Sequence, residues 1–299
     1  SWPETSSPHR YREGVLWERD TLSPRYPLTG SLAMVESTAS CLAHDYQTVL
    51  RQARQRGPRR PDRVAEPQRE ILDLLGTRYL VLPDGFAYSE TDRVSPKTGD
   101  PTPPNSELWQ NPQAYPRAWI VQRVVRLEPL RRHSPQAVEE RTRQVFQPQE
   151  APRDFRTTAV VETEQSLPAE LISPSAEKDP ASVPGPAEQP SATCEILDWQ
   201  PQRQEILARL QRPGLLVVSE SLASGWRAER VAADGTTVRL PILRTNRILR
   251  GVPLPTGEHR VVFSYRPVGF YAAATITAIA WLLVVAGIIL RKPNRTPGR

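Results

Sequence analysis

The stretch Val268–Leu290, VGFYAAATITAIAWLLVVAGIIL, holds no charged residue, in a chain where 24% of residues are charged. A helix of this length spans roughly 34 Å, enough to cross a hydrocarbon core of about 30 Å. Core helices of soluble proteins keep a polar stripe, and this one has none. Phe270, Tyr271 and Trp281 add bulky rings. The nine residues that follow, RKPNRTPGR, carry Arg291, Lys292, Arg295 and Arg299 and no acid, which places the tail on the cytoplasmic face.

That orientation puts the residues before the helix outside the cytoplasm. The chain opens Ser1-Trp2-Pro3, with no initiator Met and no basic-then-apolar leader. The expectation is therefore the C-terminal part of a longer membrane protein, whose earlier spans carry the domain out.

Working back from the helix, EHRVVFSY alternates, with Val261, Phe263 and Tyr265 on one face and Arg260, Val262 and Ser264 on the other. Asp234-Gly235 between the runs WRAERV and TTVRL is a strong hairpin signal. With GLLVVSE, RQEILARL and CEILDWQ these imply a small antiparallel β-sandwich over 194–267. Ser166–Thr193 is proline-rich with no apolar periodicity and is expected to be a linker.

Residues 1–165 form a mixed α/β segment. Ser31–Gln55 has helix-compatible composition, with Leu42, Tyr46, Val49 and Leu50 near one face. The arginine-rich run from Arg51 to Arg63, broken by Gly57, Pro58 and Pro61, suits a loop. EPQREILDLLGTRYLVLPDG predicts a short helix, a break at Gly76 and a buried strand from Tyr79 to Leu82. Residues 86–113 look loop-like. Arg117–Leu130 is β-rich, Ser134 caps a helix to Phe146, and Thr157–Glu162 is a strand. The fold class expected is α+β: a mixed segment over 1–165, a linker over 166–193, the sandwich, a single span over 268–290 and a basic tail over 291–299.

A formal charge of +6 raises nucleic acid as a partner. Only Lys97, Lys178 and Lys292 of the 39 basic residues are lysines, and the arginines are not interleaved with aromatics. Nucleic acid is excluded on that basis, whereas basic character suits anionic headgroups or lipid phosphates. Cys41 and Cys194 leave pairing open. His9, His44, His133 and His259 lack ligand spacing, so no metal site is expected, and no cofactor fingerprint occurs.

Four residues are candidates for ligand binding. Trp226, beside Gly225, is either a sugar-stacking platform or a core ring, the commoner role. Arg244, Arg247 and Arg250, with Asn246 between them, are either contacts for a lipid pyrophosphate or headgroup, or a solvated strand edge. Arg117 fits a structural salt bridge or a phosphate contact. Glu220 and Asp234 are not brought to a separation that glycoside hydrolysis needs. No catalytic residue is assigned.

Three stretches resemble the C-terminal region of the bacterial YfhO-type membrane protein family: Ile71–Pro83; Asn111–Val121 (NPQAYPRAWIV); and Gly214–Pro267, with Gly225-Trp226, Asp234-Gly235, Gly257 and Tyr265-Arg266-Pro267 in order. Residues 1–60 match poorly. The resemblance implies a polytopic membrane protein related to lipid-dependent glycosyltransferases, which move a sugar from a lipid-phosphate carrier to a cell-envelope acceptor. It implies a catalytic carboxylate on an early external loop, so none is carried over here, and this chain would be an external accessory domain and last anchor. The rival reading is a non-catalytic surface module that binds glycan or a partner protein.

Overall fold

The computed structural model describes residues 43–54, 68–83, 92–93, 106–147, 153–172, 192–232 and 234–290. Residues 1–42, 173–191 and 291–299, and with them Cys41, most of the expected linker and the basic tail, lie outside the described residues. Helices α1 (His44–Arg54), α2 (Arg69–Leu74) and α3 (Pro135–Phe146) precede the last helix, α4 (Val268–Leu290). The strands are β1 (Tyr79–Pro83), β2 (Asp92–Arg93), β3 (Ser106–Gln110), β4 (Ala118–Val121), β5 (Arg123–Leu127), β6 (Thr158–Glu162) and β7 (Ala192–Gln200). They continue as β8 (Arg203–Leu210), β9 (Gly214–Ser221), β10 (Trp226–Val231), β11 (Thr237–Leu240), β12 (Leu243–Thr245), β13 (Leu249–Leu254) and β14 (Gly257–Tyr265).

β9 explains the layering. Its run GLLVVSE is apolar without alternation because both of its faces are covered. Leu215 and Val217 enter one core with Trp119, Val121, Val49 of α1, and Ile71 and Leu74 of α2. Leu216 and Val218 enter a second core with Ala118, Ile206, Val261 and Phe263. All four β9 side chains are fully buried. At about 1.5–3 kcal/mol for each such side chain, they make a large gross contribution before chain entropy is charged against it. The result is three layers: helices, the six-stranded sheet β4-β9-β13-β12-β6-β5, and the five-stranded sheet β11-β10-β14-β8-β7.

The strand pairs are antiparallel apart from β5 with β6. Gln122 alone separates β4 from β5, yet these are the two end strands of the six-stranded sheet. Five strand spacings would set them about 24 Å apart in a flat sheet, far beyond what three residues can span. The sheet therefore curls until its ends approach.

This corrects the expected division of the chain. The sandwich is not confined to 194–267: β4, β5 and β6 lie in the same sheet as β9, β12 and β13. An antiparallel pair joins β4 to β9, with Trp119 opposite Val217. The start of the expected linker is also ordered, since Leu171 is buried and Ile172 bridges to Val124. Residues 86–113 are not all loop, because β3 pairs with β1 and β2 in a small separate sheet. That sheet is peripheral, and Tyr79, expected in a buried strand, is exposed.

Local chemistry behaves as read. Ser134 Oγ accepts from the Ala137 amide at 3.2 Å to start α3, with Pro135 in the first turn. In the β10–β11 hairpin Gly235 takes φ +82° and Asp234 accepts from Thr236. α1 begins at His44 and buries Val49 and Leu50 as expected. α4 is a single helix, and no residue of its apolar span Gly269–Gly287 is buried against the domain. Ile276, Leu282 and Leu283 are each 68% exposed, an apolar surface of the kind that meets a membrane or another protein. Trp281 is about 20 Å along the helix and is not an interfacial ring at the domain end.

Candidate functional site

The end of the sandwich from which α4 leaves is fixed by strand register. Tyr265, the last residue of β14, pairs with Trp226 at the start of β10, and Ser264 pairs with Arg203 at the start of β8. Gly225 takes φ +109°, and a Cβ there would meet Pro267 Cα at 2.9 Å. Its carbonyl accepts from the Arg266 amide, and the Trp226 and Tyr265 rings lie 5.2 Å apart. Gly225-Trp226 and Tyr265-Arg266-Pro267, two separate parts of one motif, are thus the two halves of one joint. That joint holds the sandwich onto the helix.

Just inside the joint is Arg250, on β13. It is fully buried, with its guanidinium 3.8 Å from the centre of the Trp226 ring and 5.3 Å from that of Phe263. Nη2 donates to Gln204 Oε1 at 3.0 Å, while Nε and Nη1 have no hydrogen-bond partner among the described residues. Burial pushes Arg250 down to about 10, and the charge of Glu220 opposes that. Glu220, at the end of β9, is half-buried, and burial raises its carboxyl above the usual range against the pull of Arg250 and Arg117. Arg117 Nη1 lies 3.6 Å from Glu220 Oε1 and its guanidinium lies 5.0 Å over Trp199. Two arginine–tryptophan stacks therefore flank one carboxylate at the membrane end of the sandwich.

The other arginines go elsewhere. Arg247 is 1% exposed, at the β12–β13 turn, where Asn246 and Arg247 take φ +45° and +73°. Its Nη1 meets Glu162 Oε1 at 2.6 Å, Nη2 meets Asp45 Oδ1 at 2.9 Å, and Nε donates to Thr142 Oγ1 at 3.3 Å. Arg244 Nη1 reaches Asp45 Oδ2 at 2.6 Å and the Arg247 carbonyl at 3.0 Å, and Arg141 approaches Glu162 at 3.5 Å. Asn246 extends the sheet, exchanging two hydrogen bonds of 2.8 Å with the Val160 backbone. This network ties α1, α3, β6 and the turn together.

The four sequence candidates are accordingly split. Trp226 and Arg250 come together in one stack; Arg244 and Arg247 share Asp45 in another cluster. The solvated-edge reading of the arginines is overturned for Arg247 and Arg250, which are among the largest fully buried side chains. Trp226 packs on the second core, with Arg250 against one face of the ring and Tyr265 beside it. Arg117 makes the salt bridge expected of it. Asp45, Glu162, Gln204 and Trp199 were missed, since their partners lie far along the chain and no local pattern marks them.

The second motif stretch is also a latch. Buried Asn111 donates to Asp73 Oδ1 at 2.6 Å and to the Thr77 carbonyl, and Arg69 donates to it at 2.9 Å. Trp119 Nε1 donates to the Phe155 carbonyl at 3.0 Å. Cys194 is a free thiol that donates to the Ala118 carbonyl at 3.2 Å, and burial pushes it up to about 11.

No family model matches the chain, and no curated protein matches it. Among solved structures it is similar in part to the cryo-EM structure of arabinofuranosyltransferase AftD from mycobacteria. The identity is 26% and the TM-score 0.27, over 36% of this chain and 8% of that one. A mutant of the same protein gives 26% identity and a TM-score of 0.26, over 33% and 8%. The chain thus corresponds to a small fraction of those structures' length.

Proposed function

We propose that this chain is the external accessory domain and membrane anchor of a YfhO-like membrane protein that transfers sugars from a lipid-phosphate carrier to a cell-envelope acceptor. In this reading the carboxylate that performs the transfer lies outside the chain, and the sandwich holds the acceptor-side face of the enzyme at the bilayer surface. The observation that carries it is the joint: Gly225 packs on Pro267 and Trp226 on Tyr265 directly above α4. The stretches that resemble the family thus become the contacts that fix a folded domain to a membrane helix. Arg117, Glu220 and Arg250 cluster at that same end, where a lipid-borne phosphate would arrive.

The test is binding of a polyprenyl-phosphate sugar to the chain in nanodiscs, read by calorimetry against empty nanodiscs. Saturable binding, weakened at least tenfold by Arg117→Gln, supports the reading. Heat indistinguishable from that of empty nanodiscs sinks the carrier-lipid part and leaves a surface module without carrier contact.

A further inference from the structure

One of the two sequence readings puts headgroup contacts at Arg244, Arg247 and Arg250, and the structure gives all three internal partners. The membrane end of the sandwich nevertheless has to meet lipid, and its composition is specific. Only Arg266 and Pro267 separate β14 from α4. The headgroup layer is roughly 5–7 Å deep on each side of the hydrocarbon core. At about 3.3 Å per residue, that connection spans no more than the layer.

Two loops lie level with the connection, because backbone hydrogen bonds tie them to it. The Tyr265 amide donates to the Gln202 carbonyl and the Arg266 amide to the Gly225 carbonyl, both at 2.8 Å. The turn Pro201-Gln202 and the loop Ser221-Leu222-Ala223-Ser224-Gly225 therefore form the rim that faces the bilayer. Neither holds a charge, and Pro201, Gln202, Ser221, Ala223 and Ser224 are exposed.

A collar of arginine stands just above this rim. Arg203 and Arg227 lie opposite Ser264 from the two neighbouring strands, and exposed Arg266 follows it. Arg203 is neutralised by Asp198 at 3.1 Å and Glu205 at 2.6 Å. Arg227 and Arg266 form no ion pair among the described residues. Below the rim Phe270 and Tyr271 are 67% and 55% exposed, their rings 5.8 Å apart, at the depth where aromatic side chains favour the interface.

We propose that this rim is a membrane seat: loops 201–202 and 221–225 rest in the headgroup layer around α4, and Arg227 and Arg266 hold them there on anionic phospholipid phosphates. The occupant is the lipid surface itself, continuous with the hydrocarbon that covers α4. The uncharged rim enters the layer without stranding an ion, and the two unpaired guanidiniums supply the attraction. The inference rests only on α4 crossing the bilayer and stands whichever chemistry the parent protein performs.

The test is hydrogen–deuterium exchange of the chain in nanodiscs of phosphatidylcholine alone and of phosphatidylcholine mixed with phosphatidylglycerol. Slower exchange of 221–225 is expected in the anionic discs. Arg227→Gln with Arg266→Gln should shift the seated-to-lifted ratio by on the order of 30-fold at low salt, from about fivefold per arginine. Unchanged exchange of β8 and β9 in the double variant shows that it folds. Equal exchange of 221–225 in the two lipids, or no response to the double variant, overturns the proposal.

Discussion

Arg247 and Arg250 are both buried, and their surroundings assign them different energetics. Arg247 neutralises Glu162 and shares Asp45 with Arg244, so its removal leaves buried Glu162 only the longer contact from Arg141. Arg247→Met is expected to cost about 3–5 kcal/mol by urea denaturation, the range for breaking one side of a buried ion pair. Arg244→Ala should cost clearly less, because its side chain is 28% exposed. Gly225→Ala adds a Cβ 2.9 Å from Pro267 Cα at φ +109°, a strain of about 1–3 kcal/mol in the same assay. Glu205 supplies a pH signature. The hydrogen bond from Arg260, joined by one from Arg203, holds its carboxyl below the usual range. A depressed folded-state value stabilises above the unfolded carboxylate range and is lost as pH falls through the folded value. Wild type should therefore exceed Glu205→Gln in stability at neutral pH, and the gap should close under acid.

At the scale of elements, what could be read from sequence was what local chemistry fixes. The alternation of β14 puts Val261 and Phe263 inside, and the Ser134 cap and the Asp234-Gly235 turn sit where their residues require. What could not be read depended on distant partners. Arg247 meets residues 85 and 202 positions away, and no window of sequence holds both. The same holds for β4 and β5, one residue apart in the chain and at opposite ends of a curled sheet. β3, with SELWQ, lacks a long apolar run, and its sequence reads as loop. α4 was legible because length and composition alone decide it. Ile279 lies near its middle, so Ile279→Arg should cost about 2.5–3.5 kcal/mol of insertion free energy. The check is the fraction that resists alkaline extraction from membranes, which should fall.

For the whole molecule, a three-layer domain joins one candidate membrane helix through a short joint. β14 enters α4 through Arg266 and Pro267, and in the proposed reading the positive charges beyond Leu290 set the direction of crossing. The domain and the tail then lie on opposite sides of the membrane. That claim is tested most directly by protease accessibility in intact spheroplasts, with an epitope placed after Arg299. The account predicts that external protease removes the sandwich while the epitope survives on a helix-sized fragment until the membrane is permeabilised. Loss of the epitope with the membrane intact, or survival of the sandwich until permeabilisation, would contradict it.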